Sequence, residues 1–511
     1  MVSEGRSRAL SLLEDTPTNY YTTHTLSSGL KQVVRLAFPN VASFLVAYIS
    51  NVVTALCISR LDRAELLASV GLGNLLANML GFSIGIGLMS VLDTVISQSV
   101  GSGNSHLSLV HLTRGRLVCL VIVTPCTVAL LFSGNILLFL GQDPVTAQYS
   151  EQFMRWTAPG LLPYFLFVAD CSYLRAHHIN TPQLLVNCVC AVVQLIVCVL
   201  LVNVLDLQMV GAGLSMSVAH WLRWLLLQIY VHSNKLSAEL ADGASFHAFY
   251  KEVKEEFRGN TQLGQVRQGR NTFNPQTGVY AGLREFLWLQ LNSALTMWIE
   301  WWIYEVMALI AGTLGVNVLA AHVVCVNVET IIYMVPMGFQ QATSVLVGNS
   351  LGAGQPRQAA SYGKICVSMS AMINVLIGFL VYRYRIGICK IYTSDENVLV
   401  LLEPAMTLIA FFQGIDGVNC VLEGVLRGLR LQEKAVTAKA SVMTFIQLPL
   451  AYYMGNRIGL IGIWLAASLG FGISCAIYAV IILTADFTKC AIDAMKQGNQ
   501  DRLLTDENNQ I

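Results

Sequence analysis

Four carboxylic acid side chains stand inside long apolar stretches of this sequence. Glu300 and Glu305 belong to the run WIEWWIYEV, and Glu329 and Asp416 lie in two later apolar runs. A carboxylate flanked by Trp and Tyr can hold an organic cation through an ion pair and cation–π contact. Because burial disfavours the charged form of a carboxylate, the same groups can instead bind a proton. These residue types indicate a site at which a cation and a proton compete.

The spacing of the two glutamates in WIEWWIYEV separates their tasks. Five residues correspond to about 140° around a helix, so Glu300 and Glu305 cannot share one narrow face. Tyr304 follows Glu300 by four residues and shares its face, as Glu305 does with Trp301. We therefore expect Glu300 to couple the proton to the cation and Glu305 to serve a different purpose.

The stretches that hold these acids are typical of an integral membrane protein. Of the 511 residues, 55% are hydrophobic and 12% are charged, whereas soluble domains carry about 25% charged residues. Runs long enough to cross a bilayer, which takes about 20 helical residues, recur twelve times. Their cores are 36–58, 67–97, 117–140, 155–173, 183–204, 209–231, 286–312, 318–347, 364–384, 400–425, 435–454 and 460–484. The runs are continuous and lack the alternation of a membrane barrel, so they predict helices.

The second half of the chain repeats the first half. SVGSG at Ser99 matches SLGAG at Ser350 with an offset of 251, and LRA at Leu174 matches LRG at Leu426 with an offset of 252. Each copy contains six spans, an even number, so both copies enter the membrane from the same side. The predicted fold is all-α and polytopic, with twelve transmembrane helices in two six-helix lobes related by a pseudo-two-fold axis along the membrane normal.

The chain divides into five predicted segments. They are a cytoplasmic N-terminal segment (1–35), an N-lobe (36–231), a cytoplasmic linker (232–283), a C-lobe (284–485) and a cytoplasmic tail (486–511) that we expect to be disordered. Lys and Arg concentrate before span one and after spans two, four, eight and ten, which predicts that both termini face the cytoplasm. Asp93 and Glu423 lie near inner ends of spans, and we expect them at the cytoplasmic interface.

Five motifs occur together across both halves of the chain. They are LDTVISQSVGSGN (92–104), PGLLPYFLF (159–167), IEWWIYEV (299–306), YMVPMGFQQATSVLVGNSLGAG (333–354) and VLRG (425–428). Their combination resembles the multidrug and toxic-compound extrusion (MATE) family, and EWWxYE is similar to its eukaryotic branch. The resemblance implies two six-helix lobes that form a V and export organic cations in exchange for protons or sodium ions.

The resemblance also implies site residues. The paired acids of span seven fall on Glu300 and Glu305, and the acid of span ten falls on Asp416. The acidic position of span eight falls on Asn327, and Glu329 is displaced by two residues, a turn of about 200°. We therefore take Glu300, Glu305, Asp416 and Glu329 as the cation- and proton-binding candidates. The residues expected to line the substrate cavity are Trp301, Tyr304, Asn327, Tyr333 and Gln98.

The expected function is secondary active antiport of organic cations and xenobiotics by alternating access of the two lobes. We expect a proton as the coupling ion, with Na⁺ as the alternative, no cofactor or metal, and a monomer in a plasma or organellar bilayer. A net charge of +1 without a basic patch argues against nucleic acid as a partner.

Other functions fit these residues less well. A flippase of lipid-linked substrates with a related two-lobe fold would line its cavity with Arg and Lys. A receptor or scaffold would need neither carboxylates at mid-depth nor a full-length repeat. Enzymatic activity is not expected, because the adjacent His177 and His178 lack the spacing of metal ligands.

Overall fold

The computed structural model describes residues 26–61, 63–233, 283–393 and 395–496, and nearly all of them are helical. The predicted linker falls almost entirely outside the described residues, as do most of the N-terminal segment and the end of the tail. The helical content agrees with the prediction of an all-α membrane protein.

The first half forms the N-lobe. Its helices are α1 (Leu26–Ser59), α2 (Ala64–Ala77), α3 (Ser83–Gly101), α4 (Ser105–Leu131), α5 (Ser133–Phe139), α6 (Pro144–Thr157), α7 (Leu161–Ala176), α8 (Thr181–Cys198) and α9 (Gln208–Ser233). A π-helical turn at Asn78–Phe82 joins α2 to α3, and a 3₁₀ turn at Ala158–Gly160 joins α6 to α7. A second π-helical turn, Val199–Val204, extends α8.

The second half forms the C-lobe. Its helices are α10 (Leu283–Leu314), α11 (Val316–Gly352), α12 (Pro356–Tyr392), α13 (Glu396–Gly428), α14 (Gln432–Val442), α15 (Leu448–Ile458) and α16 (Leu460–Thr484). A π-helical turn at Met443–Gln447 joins α14 to α15. Each lobe has its own large hydrophobic core, which agrees with the predicted two-lobe architecture.

The backbone carries the repeat that the sequence predicts. Gly103 and Gly354 end the matching SVGSG and SLGAG segments in the left-handed region, with φ of 71° and 70°. His178 and Arg430, 252 residues apart, also match, with φ of 61° and 60°. Left-handed backbone is uncommon for residues other than glycine, so the agreement at equivalent positions shows that the two halves share local geometry.

Nine helices among the described residues are long and apolar enough to cross a membrane. The other three predicted spans are also helical, but each departs from an uninterrupted apolar helix. The 3₁₀ turn lies within span four, the π-helical turn at Met443–Gln447 lies within span eleven, and span six carries His220 and Arg223. Twelve helical spans in two lobes therefore account for the fold.

The described part of the tail differs from the prediction of disorder. Residues 487–496 form a helix, and Ala491 is fully buried in a small core that also contains Leu351 and Val425. The prediction failed here because the segment is rich in polar residues. Only the helix brings Phe487, Ala491 and Ala494 onto one apolar face.

Candidate functional site

Ionisable side chains from four helices meet in the interior of the C-lobe. Each of them is at most 5% exposed. We call this group the carboxylate cluster; it consists of Glu300 on α10, Glu329 on α11, Asp416, Glu423 and Arg427 on α13, and Lys439 on α14. Three of the four predicted cation- and proton-binding residues belong to it.

One part of the cluster is a chain of alternating charges. The Lys439 ammonium pairs with Glu300 and donates to Oε2 of Glu423 at 2.8 Å, and Arg427 pairs with the other oxygen of Glu423. The Tyr333 hydroxyl donates to Oε1 of Glu300 at 2.8 Å. The carboxylates of Glu300 and Glu423 therefore already have cationic partners.

The other part consists of two acids that face each other, Glu329 and Asp416, which we call the facing pair. They lie within electrostatic range of each other. Among the described residues, no side chain or backbone group donates to either oxygen of Asp416 or to Oε1 of Glu329. Ionised carboxylates only accept hydrogen bonds, so a hydrogen bond within the facing pair requires a proton on one of the two acids.

Close packing of α11 on α13 brings the facing pair together. Gly424 on α13 lies against the backbone of α11, where an added Cβ would stand 2.5 Å from the carbonyl oxygen of Gln340. Small residues allow this approach between membrane helices. Aromatic rings pack beside the cluster: Tyr304 lies within electrostatic range of Glu329, and its ring is 6.3 Å from that of Trp464.

The remaining predicted site residues lie elsewhere. Glu305 and Trp301 are half-buried on α10, and no hydrogen bond or ion pair of the described part of the chain reaches Glu305. On α11 the structure places Glu329 beside Asp416, whereas Asn327 is half-buried and outside the cluster. Gln98 does not line the cluster, because it donates to the carbonyl of Gly428 at 2.9 Å in the contact between the lobes.

Sequence reasoning missed three members of the cluster, Glu423, Arg427 and Lys439. Glu423 was expected at the cytoplasmic interface, but it is 1% exposed and lies inside the C-lobe. Lys439 was not considered, although it is a cation in the first turns of the apolar run 435–454. That position was the available signal, since an intramembrane lysine is as costly as an intramembrane acid.

The two buried acids of the described N-lobe, Asp93 and Asp170, pair with arginine. Nη2 of Arg175 donates to Oδ1 of Asp93 at 2.9 Å, and Nε of Arg116 donates to Oδ1 of Asp170 at 2.9 Å. Asp93 was expected at the cytoplasmic interface, but it is buried inside the N-lobe in an ion pair. These pairs leave no acid of the N-lobe interior comparable to the facing pair among the described residues.

An aromatic group lies in the N-lobe between α7, α9 and the π-helical turn at Asn78–Phe82. The ring of Tyr164 on α7 lies 5.1 Å from that of Phe82 and 4.9 Å from the imidazole of His220 on α9. Nδ1 of His220 is 2.9 Å from Nη1 of Arg223. The N-lobe therefore offers rings and a guanidinium where the C-lobe offers carboxylates.

The two lobes touch where α3 and α11 end. Gly101 packs against the backbone of Asn349, and Gly352 packs against the carbonyl of Gln98. Nδ2 of Asn349 also donates across the lobes to the carbonyl of Ala176 at 3.1 Å.

Comparison with known proteins finds similarity over both lobes. The model of the MatE family matches residues 39–200 and 293–453. Multidrug and toxin extrusion protein 2 of Oryctolagus cuniculus is 30% identical over 455 residues, which cover 88% of this chain and 70% of the relative. Multidrug and toxin extrusion protein 1 of Homo sapiens is 28% identical over 437 residues, which cover 85% of this chain and 71% of the relative.

The fold is similar to solved transporter structures. The crystal structure of the eukaryotic MATE transporter AtDTX14 superposes with a TM-score of 0.82 at 20% identity, covering 93% of this chain and 99% of that chain. The Vibrio cholerae MATE transporter VcmN, in its bent form, gives a TM-score of 0.74 at 16% identity, with 93% of this chain and 99% of that chain covered.

Proposed function

Since this chain belongs to the MatE family, we propose that it exports organic cations in exchange for protons, by alternating access of its two lobes. The family is one of transporters, and relatives named for multidrug and toxin extrusion support the export of xenobiotics. The observation that carries the proton coupling is the facing pair, in which both oxygens of Asp416 and Oε1 of Glu329 lack donors among the described residues.

The exchange follows from the chemistry of the facing pair. Glu329 and Asp416 share one proton at rest, because two adjacent buried carboxylates repel each other strongly when both are ionised. An organic cation bound beside the facing pair neutralises the remaining negative charge on the outward journey. A second proton neutralises the same charge on the return. Because the organic cation and the second proton compensate the same negative charge, binding of one displaces the other, which is the requirement for antiport.

Alternating access is supported by the contact between the lobes. The lobes meet through glycines and short polar side chains at the end that carries Gly101, Asn349 and Gly352. We propose that this end faces the cytoplasm, with both termini, and that it is closed in this state. A single chain supplies both lobes and the whole cluster, so we propose that the monomer is the transporting unit, in a plasma or organellar membrane.

The acidic cluster favours a cationic cargo over the phosphate head of a lipid-linked substrate. A flippase cavity would need unpaired Arg or Lys, whereas Arg427 and Lys439 are both paired with carboxylates. Sodium is the alternative coupling ion, since carboxylate oxygens also bind hard cations.

Transport by the purified protein in liposomes tests the proposal. Vesicles with an acidic interior in neutral, sodium-free buffer should accumulate radiolabelled tetraethylammonium, and collapse of the pH gradient with nigericin and potassium should release it. Accumulation that ignores the pH gradient but follows an imposed Na⁺ gradient would reassign the coupling ion. No accumulation under either gradient would overturn the proposed antiport.

A further inference from the structure

The buried ammonium of Lys439 is unexpected in a site proposed to bind cations. Lys439 has no exposed surface, and its ammonium lies between the carboxylates of Glu300 and Glu423. Removing a lysine ammonium from water is costly even when it is paired. A transporter that only had to hold an organic cation would not need a cation already in place.

The charges of the carboxylate cluster limit what can enter. Its four carboxyl groups and two cationic side chains leave a formal net charge of −2 when all are ionised. One proton shared by the facing pair reduces this to −1. A single positive charge, from a monocation or a second proton, then makes the cluster neutral. Without the ammonium of Lys439 the cluster would retain one more negative charge and have room for a second positive charge.

We infer that Lys439 is a tethered internal cation that sets the charge of the exported cargo at one. This inference rests on the proposed function and deepens it, because it names the residue that determines which cations are accepted. Lys439 bonds to Glu300 and Glu423 and forms no hydrogen bond with the facing pair among the described contacts. It therefore consumes negative charge in one part of the cluster and leaves Glu329 and Asp416 free for the exchanged ions.

The geometry distinguishes this role from simple packing. Glu423 already has Arg427 as a partner, and Glu300 already accepts a hydrogen bond from Tyr333. A polar but uncharged side chain at position 439 could satisfy the remaining oxygens. What such a side chain could not replace is the positive charge.

Binding to purified protein tests the inference. Tetraethylammonium is the monocation, and hexamethonium, with two quaternary ammonium groups, is the dication; each is titrated by calorimetry into the wild type, Lys439→Met and Lys439→Arg. We expect Lys439→Met to shift the ratio of affinities toward hexamethonium by about tenfold or more, because a second charge pair becomes available. Lys439→Arg keeps the charge and should keep the wild-type ratio.

A second pair of variants decides the matter even when Lys439→Met does not fold. Glu300→Gln leaves the cluster neutral once the facing pair holds its proton, so tetraethylammonium binding should fall by about tenfold or more. Glu300→Gln combined with Lys439→Met removes both partners of one ion pair and restores the charge count. Replacing both partners avoids an unpaired buried charge, and the double variant should bind tetraethylammonium within about threefold of the wild type.

The outcomes separate this inference from the proposed function. Failure of the wild type to bind or transport tetraethylammonium would overturn the proposed function itself. A wild type that transports, together with an unchanged affinity ratio in Lys439→Met or a double variant no better than Glu300→Gln, would overturn the role of Lys439 alone.

Discussion

Replacement of Asp416 by asparagine should separate cation binding from proton coupling. In Asp416→Asn, Glu329 keeps its carboxyl group but no longer faces a like charge. The amide can donate a hydrogen bond to that carboxylate, which stabilises the ionised form. Without the shared proton, the cluster still has a formal charge of −1, because one carboxylate has been removed. We therefore expect a variant that still binds a monocation but no longer exchanges it for a proton.

The size of the effect follows from the repulsion within the facing pair. Two unit charges about 4 Å apart repel by about 4 kcal/mol at the effective dielectric constant of about 20 that suits protein sites. Each 1.4 kcal/mol is a factor of about ten, so removing the repulsion lowers proton retention by up to about a thousandfold. Relaxation of the helices reduces this figure, and a loss of about a hundredfold in proton-driven accumulation is a conservative expectation.

Two assays on the same liposomes measure the separation. Accumulation of tetraethylammonium driven by a pH gradient should fall by about a hundredfold, whereas exchange of labelled for unlabelled tetraethylammonium without a gradient should stay within about threefold of the wild type. Glu403→Gln is the matched control: it removes a carboxylate from the same helix, but from a side chain that is 50% exposed and pairs with Arg385 at 3.4 Å. Proton-driven accumulation at the wild-type level in Asp416→Asn would refute the reasoning.

Three further substitutions test other parts of the structure. Glu300→Gln should abolish uptake of tetraethylammonium driven by a pH gradient, and normal uptake would remove this residue from the mechanism. In Gly352→Ala the added Cβ would meet backbone of the other lobe, and the rate of uptake into liposomes should fall by about tenfold or more. In the control Gly348→Ala the added Cβ meets mainly a serine hydroxyl that can rotate, and the uptake rate should fall by less than about threefold. Arg116→Leu leaves the buried Asp170 without its cationic partner and should lower the free energy of unfolding by about 3–5 kcal/mol. Arg385→Leu, at an exposed ion pair, should lower it by less than about 1 kcal/mol. Equal decreases of the unfolding temperature of the two variants in detergent would contradict the structural role of the N-lobe pair.

The sequence predicted the architecture well because the signals for it are local or repetitive. Apolar length identifies membrane helices, and the matching segments at Ser99 and Ser350 identify the two copies, which the left-handed His178 and Arg430 then show in the backbone. Spans four, six and eleven are not long and apolar enough to qualify as uninterrupted membrane helices, because they contain internal turns or polar residues. Neither feature changes the number of helices, so the fold was predicted correctly.

The site was less accessible to prediction because it depends on contacts distant along the chain. Helical periodicity correctly separated Glu300 from Glu305, but it could not say which helix lies opposite either one. Lys439 reaches Glu300 over 139 residues of sequence. Lysines at helix ends ordinarily extend toward water, and Lys439 lies near the end of its span. Packing of α14 against α10 directs it inward instead.

The aromatic group of the N-lobe shows what became of the other copy of this duplicated unit. At the repeat offset of 252, Asp416 corresponds to Tyr164 and Lys439 corresponds to Asn187. The position of a buried acid in one copy is therefore a ring packed edge-to-face against His220 in the other. The two copies therefore differ most in chemical character where they are equivalent in place: acid and lysine in the C-lobe, tyrosine and asparagine in the N-lobe.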